Sequence, residues 1–372
     1  MSKVKYPSLN GLRAISVTLV IFHHLGLIHH IFDGLSGIIW LRPFTDFLQD
    51  GQFGVNVFFV ISGFLITSLL LNEEAKTKTI SLKNFYIRRT LRIFPAYYFL
   101  LIVYAVLQLM HIIYIKYTAW ITAIAYMKYF NWETDWFTGH AWSLSIEEHF
   151  YLFWPLVFLR FKKVRKQVVM ALILLVPVLR IAMVLFTKDN ADIILKYDLT
   201  IFTRIDSIAT GCLFALYQKE IVKKLSPYWR PLFYTSAILL FFLRYFPMLA
   251  AKVHLAFIFI PFGWSQNGAA HDITGITHAT IANLLIAIII MYSIFGPEKW
   301  WYKIMNSKPL NYIGLLSYSI YLWQELFTSR LAYWPMNVPQ NVLCIAAMAL
   351  FSYYVIEQPF LKLKSKFFEP KV

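Results

Sequence analysis

The feature that most constrains the fold is a series of long apolar segments separated by short, mostly basic ones. Among 372 residues, 59% are hydrophobic and only 15% are charged, and the mean hydropathy is +0.58. Such a chain is a polytopic membrane protein rather than a water-soluble globule. Each segment is long enough, or nearly so, to cross a hydrocarbon core of about 30 Å. The segments lie near residues 10–30, 52–72, 92–110, 142–160, 168–186, 202–218, 231–247, 280–296, 310–330 and 339–360.

These segments predict an all-α membrane bundle of about ten transmembrane helices, folded as a single domain over residues 1–372. Of the 35 Lys and Arg residues, 24 fall in the alternate connections that include both termini and 7 fall in the others. This asymmetry predicts that both termini are cytoplasmic, and it explains the net charge of +16 by topology rather than by nucleic-acid binding. Two shorter apolar runs, 120–130 and 249–262, break the parity and predict re-entrant or interfacial helices on the outer side.

The chain shows no sign of a metal site or of an internal repeat. Cys212 and Cys344 are far apart in apolar runs and are typical of small buried hydrophobes. The histidine pairs at 23–24 and 29–30 lack a zinc-type spacing with partners, so we expect no metal. Without a repeat, a transporter built from two obvious halves gains no support.

The first apolar segment carries Arg13 near its start and His23 and His24 near its end. Eleven residues at about 100° each bring His24 to within about 20° of Arg13, with about 16 Å between them along the helix. An intramembrane ionisable side chain normally faces a protein interior or an aqueous cavity. We therefore expect Arg13 and His24 to line one cavity, with His24 near mid-depth as a candidate general base. The alternative is a hydrogen-bonded packing histidine.

Several motifs in order along the chain carry a family resemblance: NGLRAISVTLVIFHH, GQFGVNVFFVISGFLI, FYIRRTLRIFPAYY, HAWSLSIEEHFYLFWP, FTRIDSIATGCL, LSYSIYLWQ and IEQPF. They resemble the acyltransferase-3 family of integral-membrane O-acyltransferases, in a form without an appended extracytoplasmic esterase-like domain. The resemblance implies transfer of an acyl group, most often acetyl, from cytoplasmic acyl-CoA to a hydroxyl of an extracytoplasmic or lipid-linked glycan. It also implies that His24 is the catalytic base and Arg13 its partner.

The acyl donor needs cations for its phosphates and a close approach for its pantetheine arm. Arg88, Arg89 and Arg92 stand in an inner connection at a helix entry, and arginine binds phosphate bidentately. Arg88 and Arg92 are four residues apart and share a helical face, from which Arg89 diverges. Near the second span, Gly54, Ser62 and Gly63 allow a close approach of the donor arm. Plain helix packing at the glycines and a positive-inside cluster at the arginines are the alternatives.

Two further groups of polar residues are candidates for catalysis or acceptor binding. Glu147 and Glu148, preceded by Trp142 and Ser143, lie just inside the outer end of the fourth span, where one glutamate would orient a catalytic base or bind sugar hydroxyls. An outer helix cap provided by Ser143 or Ser145 is the alternative.

In the sixth span, Arg204 and Asp206 diverge by about 200° and need different partners. Their role is acceptor binding or, alternatively, structural ion pairing. Gln324 stands where the family often has histidine, which makes a titrating role at that position doubtful. Glu357 is expected to be a structural anchor at the inner end of the last span.

The expected partners are the bilayer and a glycan or lipid-linked sugar acceptor, with lipopolysaccharide O-antigen or another surface polysaccharide in a bacterial inner membrane as the first choice. No nucleic acid is expected, and the oligomeric state is open. The competing function is a transporter or flippase for a lipid-linked sugar, because a charged cavity in a helical bundle also suits a substrate pathway. Consumption of acyl-CoA distinguishes the two.

Overall fold

The computed structural model describes residues 6–26, 42–130, 135–187, 200–252, 273–329 and 338–368. Within these ranges the chain forms helices and no strands. The helices are α1 Leu9–Leu25, α2 Arg42–Leu48, α3 Gly51–Thr77, α4 Leu82–Leu109, α5 Tyr117–Ile124, α6 Ala141–Arg160, α7 Arg165–Thr187, α8 Ile201–Leu216, α9 Gln218–Leu225, α10 Trp229–Lys252, α11 Ile273–Phe295, α12 Trp300–Met305, α13 Lys308–Thr328, α14 Gln340–Phe351 and α15 Gln358–Phe368. Short 3-10 turns follow α5 and α9, and a π-helical turn at Ser352–Glu357 joins α14 to α15.

Each of the ten predicted segments overlaps a helix within the described residues, so the all-α prediction is confirmed. Four helical stretches in the described part of the chain are long and apolar enough to cross a membrane: Gly51–Thr77, Leu82–Leu109, Arg165–Met183 and Gln340–Leu363. Two further apolar helices, Leu9–Leu25 and Ala279–Phe295, are shorter. The protein is therefore a helical membrane protein, and the count of about ten spans stays a prediction.

The first helix ends earlier than the predicted 10–30 segment. Gly26 adopts a left-handed conformation (φ 56°), and its N–H donates to the carbonyl of His23. A glycine in this conformation is a common helix terminator because it has no Cβ to clash. His24 therefore occupies the last turn of α1 rather than the middle of a span, and residues 27–30 lie outside the described residues.

Helix α4 begins ten residues before the predicted start at residue 92. The Ser81 hydroxyl accepts a hydrogen bond from the N–H of Asn84 and so caps the helix. Arg88, Arg89 and Arg92 consequently lie on a regular helix, not in a connection, and each points in a direction fixed by the helical period.

The short apolar runs differ in outcome. Within 120–130 the structure has α5 and a 3-10 turn at Lys128–Phe130, held by hydrogen bonds from Tyr97 to the Ala123 carbonyl and from Tyr98 to the Ile124 carbonyl. A short helix is therefore present there, and its placement in the membrane stays a prediction. In the run 249–262, residues 249–252 are the end of α10, and residues 253–262 lie outside the described residues.

Helix α1 packs between α3 and α13, while α8 packs on another side of α3. Small residues allow these contacts. A Cβ at Gly54 would lie 2.5 Å from the Ser16 carbonyl oxygen, and one at Gly314 would lie 1.9 Å from that of Asn10. Such close approach is typical of helix pairs in membranes. It fixes Arg13 and His24 of α1 between the polar faces of its neighbours.

Candidate active site

A cavity of about 100 Å³ lies between α1, α3, α4, α6 and α13. Its polar lining combines cationic, acidic and hydroxyl side chains, while aliphatic and phenylalanine side chains of α3 line the rest. The polar residues are Arg13, Ser62, Arg89, Arg92, Ser143, Glu147, Glu148, Tyr151, Ser317, Tyr318 and Tyr321. The cavity therefore gathers seven of the residues that the sequence singled out.

Three arginines from two helices face this cavity. Arg13 comes from α1, and Arg89 and Arg92 lie three residues apart on α4 and so share a face. The guanidinium of Arg89 lies 5.1 Å from the ring centroid of Tyr151, a cation–π distance. Arg88 points away and forms an ion pair of 2.7 Å with Glu73. Arg89, rather than Arg88, borders the cavity together with Arg92, and the donor-binding role of Arg88 stays a prediction.

Glu147 and Glu148 balance part of this positive charge. Glu147 accepts hydrogen bonds from the hydroxyls of Ser62 (2.7 Å) and Tyr151 (3.2 Å). Glu148 borders the cavity beside it. Ser62 thus borders the cavity as predicted for a donor site, and its structural contact is to a glutamate of α6.

A second polar cluster lies at the far end of α1, around His24. Glu325 of α13 places Oε1 3.5 Å from Nε2 of His24, and its Oε2 accepts a hydrogen bond of 2.7 Å from Nδ1 of His140. His24 Nδ1 donates to the carbonyl of Val20 at 3.0 Å. The indole ring of Trp136 packs edge-on against His24. Two histidines from different parts of the chain therefore share one carboxylate.

Ser143 and Tyr321 connect the cavity to this cluster. Both border the cavity, and their hydroxyl oxygens lie 2.5 Å apart. Tyr321 also donates to the carbonyl of His140 at 3.0 Å. His24 is not among the residues that line this cavity in the described part of the chain, and a shared cavity of Arg13 and His24 stays a prediction. Their separation along α1 leaves room for a layer of hydroxyl groups between the two.

His23 is separated from His24 as the helical angle predicts. Its side chain is exposed, and Nδ1 contacts the carbonyl of Gln49 at 2.9 Å. A Cβ at Gly51 would lie 2.8 Å from Cβ of His23, so His23 packs on the start of α3. The two neighbouring histidines therefore belong to different surroundings.

The remaining predicted site residues lie in packing contacts. Trp142 packs edge-on against Phe59, and Gly54 lies against the backbone of α1. A Cβ at Gly63 would lie 1.9 Å from the Ile208 carbonyl oxygen of α8, so both glycines meet neighbouring helices. The structure thus places their close approach at helix interfaces rather than at the cavity.

Asp206 and Arg204 lie on α8, away from the cavity lining. The Asp206 carboxylate pairs with Arg180 of α7 at 2.7 Å and accepts hydrogen bonds from Thr280 (2.6 Å) and Asn283 (3.2 Å) of α11. Asp206 and Arg204 are both buried. The alternative of structural ion pairing, weighed for this motif, describes the contacts of Asp206.

Comparison with known proteins agrees with the order of motifs along the chain. The acyltransferase domain model of the acyltransferase-3 family matches residues 6–357. The chain belongs to this acyltransferase family. It is 31% identical to the O-acetyltransferase OatA of Staphylococcus aureus strain NCTC 8325 / PS 47 over 392 aligned residues, which cover 96% of this chain and 57% of the relative. OatA of strain COL gives the same values. The chain thus spans a little over half the length of these relatives, and no solved structure matches it significantly.

The sequence analysis did not single out Glu325 or His140. It placed the glutamate that orients a base at Glu147 or Glu148, whereas the structure puts Glu325 beside His24. The available signal was that an ionisable side chain within a predicted span is functional by default. That rule applied to Glu325, which follows Gln324 in the segment 310–330. Gln324 itself is fully buried, and its amide has no hydrogen-bond partner in the described ranges.

Proposed function

We propose that the protein is an O-acetyltransferase that moves an acetyl group from acyl-CoA to a hydroxyl of an extracytoplasmic or lipid-linked glycan. Membership of the acyltransferase family and the similarity to relatives named O-acetyltransferases support the reaction class. The observation that carries the proposal is the arginine-lined cavity, joined by Ser143 and Tyr321 to the histidine–glutamate cluster. One end suits an anionic thioester donor, and the other supplies a base.

The donor end is defined by Arg13, Arg89 and Arg92. All three lie in the first half of helices that, on the expected topology, begin at the cytoplasmic face, where acyl-CoA is found. Arginine suits the phosphates of the donor because its planar guanidinium bonds two oxygens at once. A cavity of about 100 Å³ is small beside the about 300–1,000 Å³ of typical ligand sites. We therefore infer that it accepts the narrow acyl-pantetheine end, with the pyrophosphate at the arginine-lined mouth and the rest of the nucleotide outside.

The acceptor end is defined by His24. Along α1 it lies eleven residues, or about 16 Å, from Arg13 toward the expected outer side. Its side chain is 21% exposed, so a hydroxyl can reach it. A histidine there can take the proton of an acceptor hydroxyl as the ester forms. The acceptor that we propose is a cell-surface polysaccharide, first among them lipopolysaccharide O-antigen, with the protein in a bacterial inner membrane and both termini cytoplasmic.

The proposal is tested with purified protein in liposomes, supplied with acetyl-CoA and envelope glycans or their lipid-linked precursors. We expect acceptor-dependent release of free thiol and a mass increase of one acetyl group on the glycan. Movement of a lipid-linked sugar without thiol release would instead identify a flippase. Mass spectrometry of envelope glycans from cells with and without the gene identifies the acceptor.

A matched pair of histidine variants tests the base. His24→Ala should lose about 10² to 10⁴ in turnover, the usual contribution of a general base. His23→Ala should stay within a fewfold of the parent, because its ring contacts the start of α3 and not the Glu325 carboxylate. Turnover of folded His24→Ala protein within a fewfold of the parent would refute the assignment.

A further inference from the structure

Glu325 is a buried carboxylate that lies between two histidines contributed by different helical segments. Its exposure is 5%, and its two oxygens face different partners: Oε1 faces Nε2 of His24, and Oε2 faces His140. His140 is the residue just before α6, and His24 is in the last turn of α1. A buried carboxylate needs hydrogen-bond or charge partners, and His24 and His140 are in position to be these partners of Glu325.

The His140 side of this cluster holds the carboxylate in its charged form. The backbone N–H of His140 donates to Oε2 of Glu325 at 3.2 Å, and the side-chain Nδ1–H donates to the same oxygen at 2.7 Å. This backbone N–H is at the N-terminus of α6, where the helix dipole favours a negative charge. The indole N–H of Trp136 donates to the carbonyl of Glu325 and fixes that turn of α13. Oε1 remains for His24.

The contacts of His140 with Glu325 use only one of its ring nitrogens. Its Nε2 is buried and has no hydrogen-bond partner in the described part of the chain. His140 therefore contacts Oε2 of Glu325 through Nδ1 and its backbone N–H, and Oε1 stays available to His24.

The contact of His24 with its own helix decides which nitrogen acts as base. Because a carbonyl oxygen accepts, the contact to Val20 requires the proton on Nδ1 and leaves the lone pair on Nε2. At 3.5 Å, Nε2 and Oε1 of Glu325 are too far apart for a strong hydrogen bond. Among the described residues, the titratable groups that face His24 are Glu325, His140 and, on its own helix, His23.

We propose that Glu325, held by His140, is the positioning carboxylate that stabilises the imidazolium formed on His24 during acyl transfer. This inference rests on the proposed function. In the reaction, the acceptor oxygen forms a bond to the thioester carbonyl carbon, and the carbon–sulfur bond breaks. The acceptor proton passes to Nε2 of His24 and then returns to the leaving thiolate. Glu325 gains no proton and acts only through His24; it differs from the carboxylate of a catalytic triad because it faces the nitrogen that takes the proton.

The main test compares Glu325→Gln with the parent protein in the acetyl-CoA assay. The glutamine keeps the size of the side chain and removes its charge. We expect kcat to fall by about 10²-fold, with the KM for acetyl-CoA within twofold of the parent, because Glu325 lies outside the donor cavity. We also expect the acidic limb of the pH–rate profile to move to lower pH, since an imidazole that has lost its carboxylate binds its proton less tightly.

The control variant is Glu357→Gln, which changes a second buried carboxylate. Glu357 accepts hydrogen bonds from Ser319 of α13 and Ser352, as expected for an anchor of the last helix. The Glu357→Gln substitution is expected to lower the stability of the protein without moving the pH–rate profile. A pair at His140 provides an independent measurement: His140→Asn keeps a donor near the position of Nδ1 and should retain more of kcat than His140→Ala.

The outcomes separate this inference from the proposed function. A parent protein that consumes no acetyl-CoA with any acceptor would overturn the proposed function. An active parent with a Glu325→Gln variant of unchanged kcat and an unmoved pH–rate profile would overturn only the role of Glu325. If Glu325→Gln does not elute as a monodisperse protein, the His140 pair decides. Equal kcat per folded enzyme in both His140 variants and the parent would then refute the inference.

Discussion

Gly63 of α3 and Gly211 of α8 face each other where the two helices approach most closely, and Gly63→Ala tests what this approach is for. A Cβ at Gly63 would lie 1.9 Å from the Ile208 carbonyl oxygen, and one at Gly211 would lie 2.0 Å from that of Val60. Ordinary contact begins near 3.4 Å. The helices must therefore move apart by roughly 1.5 Å, because backbone atoms have no alternative rotamer to adopt.

The cost of this separation follows from the packing that is lost along the interface. Overpacking of a close contact typically costs about 1–3 kcal/mol. We expect Gly63→Ala and Gly211→Ala each to destabilise the protein by about 2 kcal/mol, which for a chain of 372 residues corresponds to a decrease in Tm of about 2–3 °C. The donor KM of the folded protein should stay close to the parent value in both variants, because the two glycines share one interface and neither borders the cavity.

The assay is thermal unfolding in detergent, followed by the donor KM of the folded protein. Gly26→Ala is the control for the substitution itself, because a Cβ there meets no atom of the described residues within 4 Å. Its positive φ gives it a small local cost instead. A several-fold increase in the donor KM for Gly63→Ala, without one for Gly211→Ala, would refute the packing explanation and return Gly63 to the donor site.

Two further predictions concern charged side chains. Arg92→Ala should raise the KM for acetyl-CoA severalfold with membrane insertion intact. The control is Arg160→Ala, which should not raise it because the Arg160 side chain is exposed outside the cavity. Steady-state kinetics compares the two variants, and an unchanged KM in Arg92→Ala would remove this arginine from the donor site. Asp206→Asn should destabilise the protein by about 3–5 kcal/mol because it removes the buried negative charge that faces Arg180, and a Tm equal to the parent's would contradict this.

The site has two parts with different electrostatic character. The cavity holds three arginines and two glutamates within a lining that also contains hydroxyls, so its net positive charge suits an anionic donor. The cluster at His24 contains one carboxylate and two histidines, so it suits proton transfer. The hydroxyl pair of Ser143 and Tyr321 lies between them. This division matches a reaction in which donor and acceptor approach from opposite sides of the membrane.

Local patterns in the sequence identified the helices and the side chains that carry charge within them. Apolar segments of sufficient length gave all ten helical positions, because a backbone in a bilayer satisfies its hydrogen bonds within each segment. The motif order gave the acyltransferase family, which the match over residues 6–357 confirms. The angle between His23 and His24 also followed from the helical period alone, since it depends on no other part of the chain.

The sequence predicted the helix ends and the cavity-facing sides of the helices less well, because a single contact decides each of them. The left-handed Gly26 shortened α1, and the Ser81 cap extended α4 by ten residues relative to the predicted span. Because α4 is regular through Arg88, Arg89 and Arg92, the neighbouring helices decide which of these arginines face the cavity. Arg88 pairs with Glu73, whereas Arg89 and Arg92 border the cavity between α1 and α6.

The sequence by itself determined an all-helical membrane protein of the acyltransferase-3 family, with His24, Arg13 and a cluster of arginines as candidates. Only the tertiary structure decided that Glu325 lies beside His24, that His140, 185 residues earlier in the chain, holds its other oxygen, and that Glu147 faces Ser62 instead. The physical reason is that helical periodicity fixes angles within one helix. The partner of a buried charge depends on how separate helices pack, and small residues such as Gly54 and Gly314 set that packing through backbone contacts.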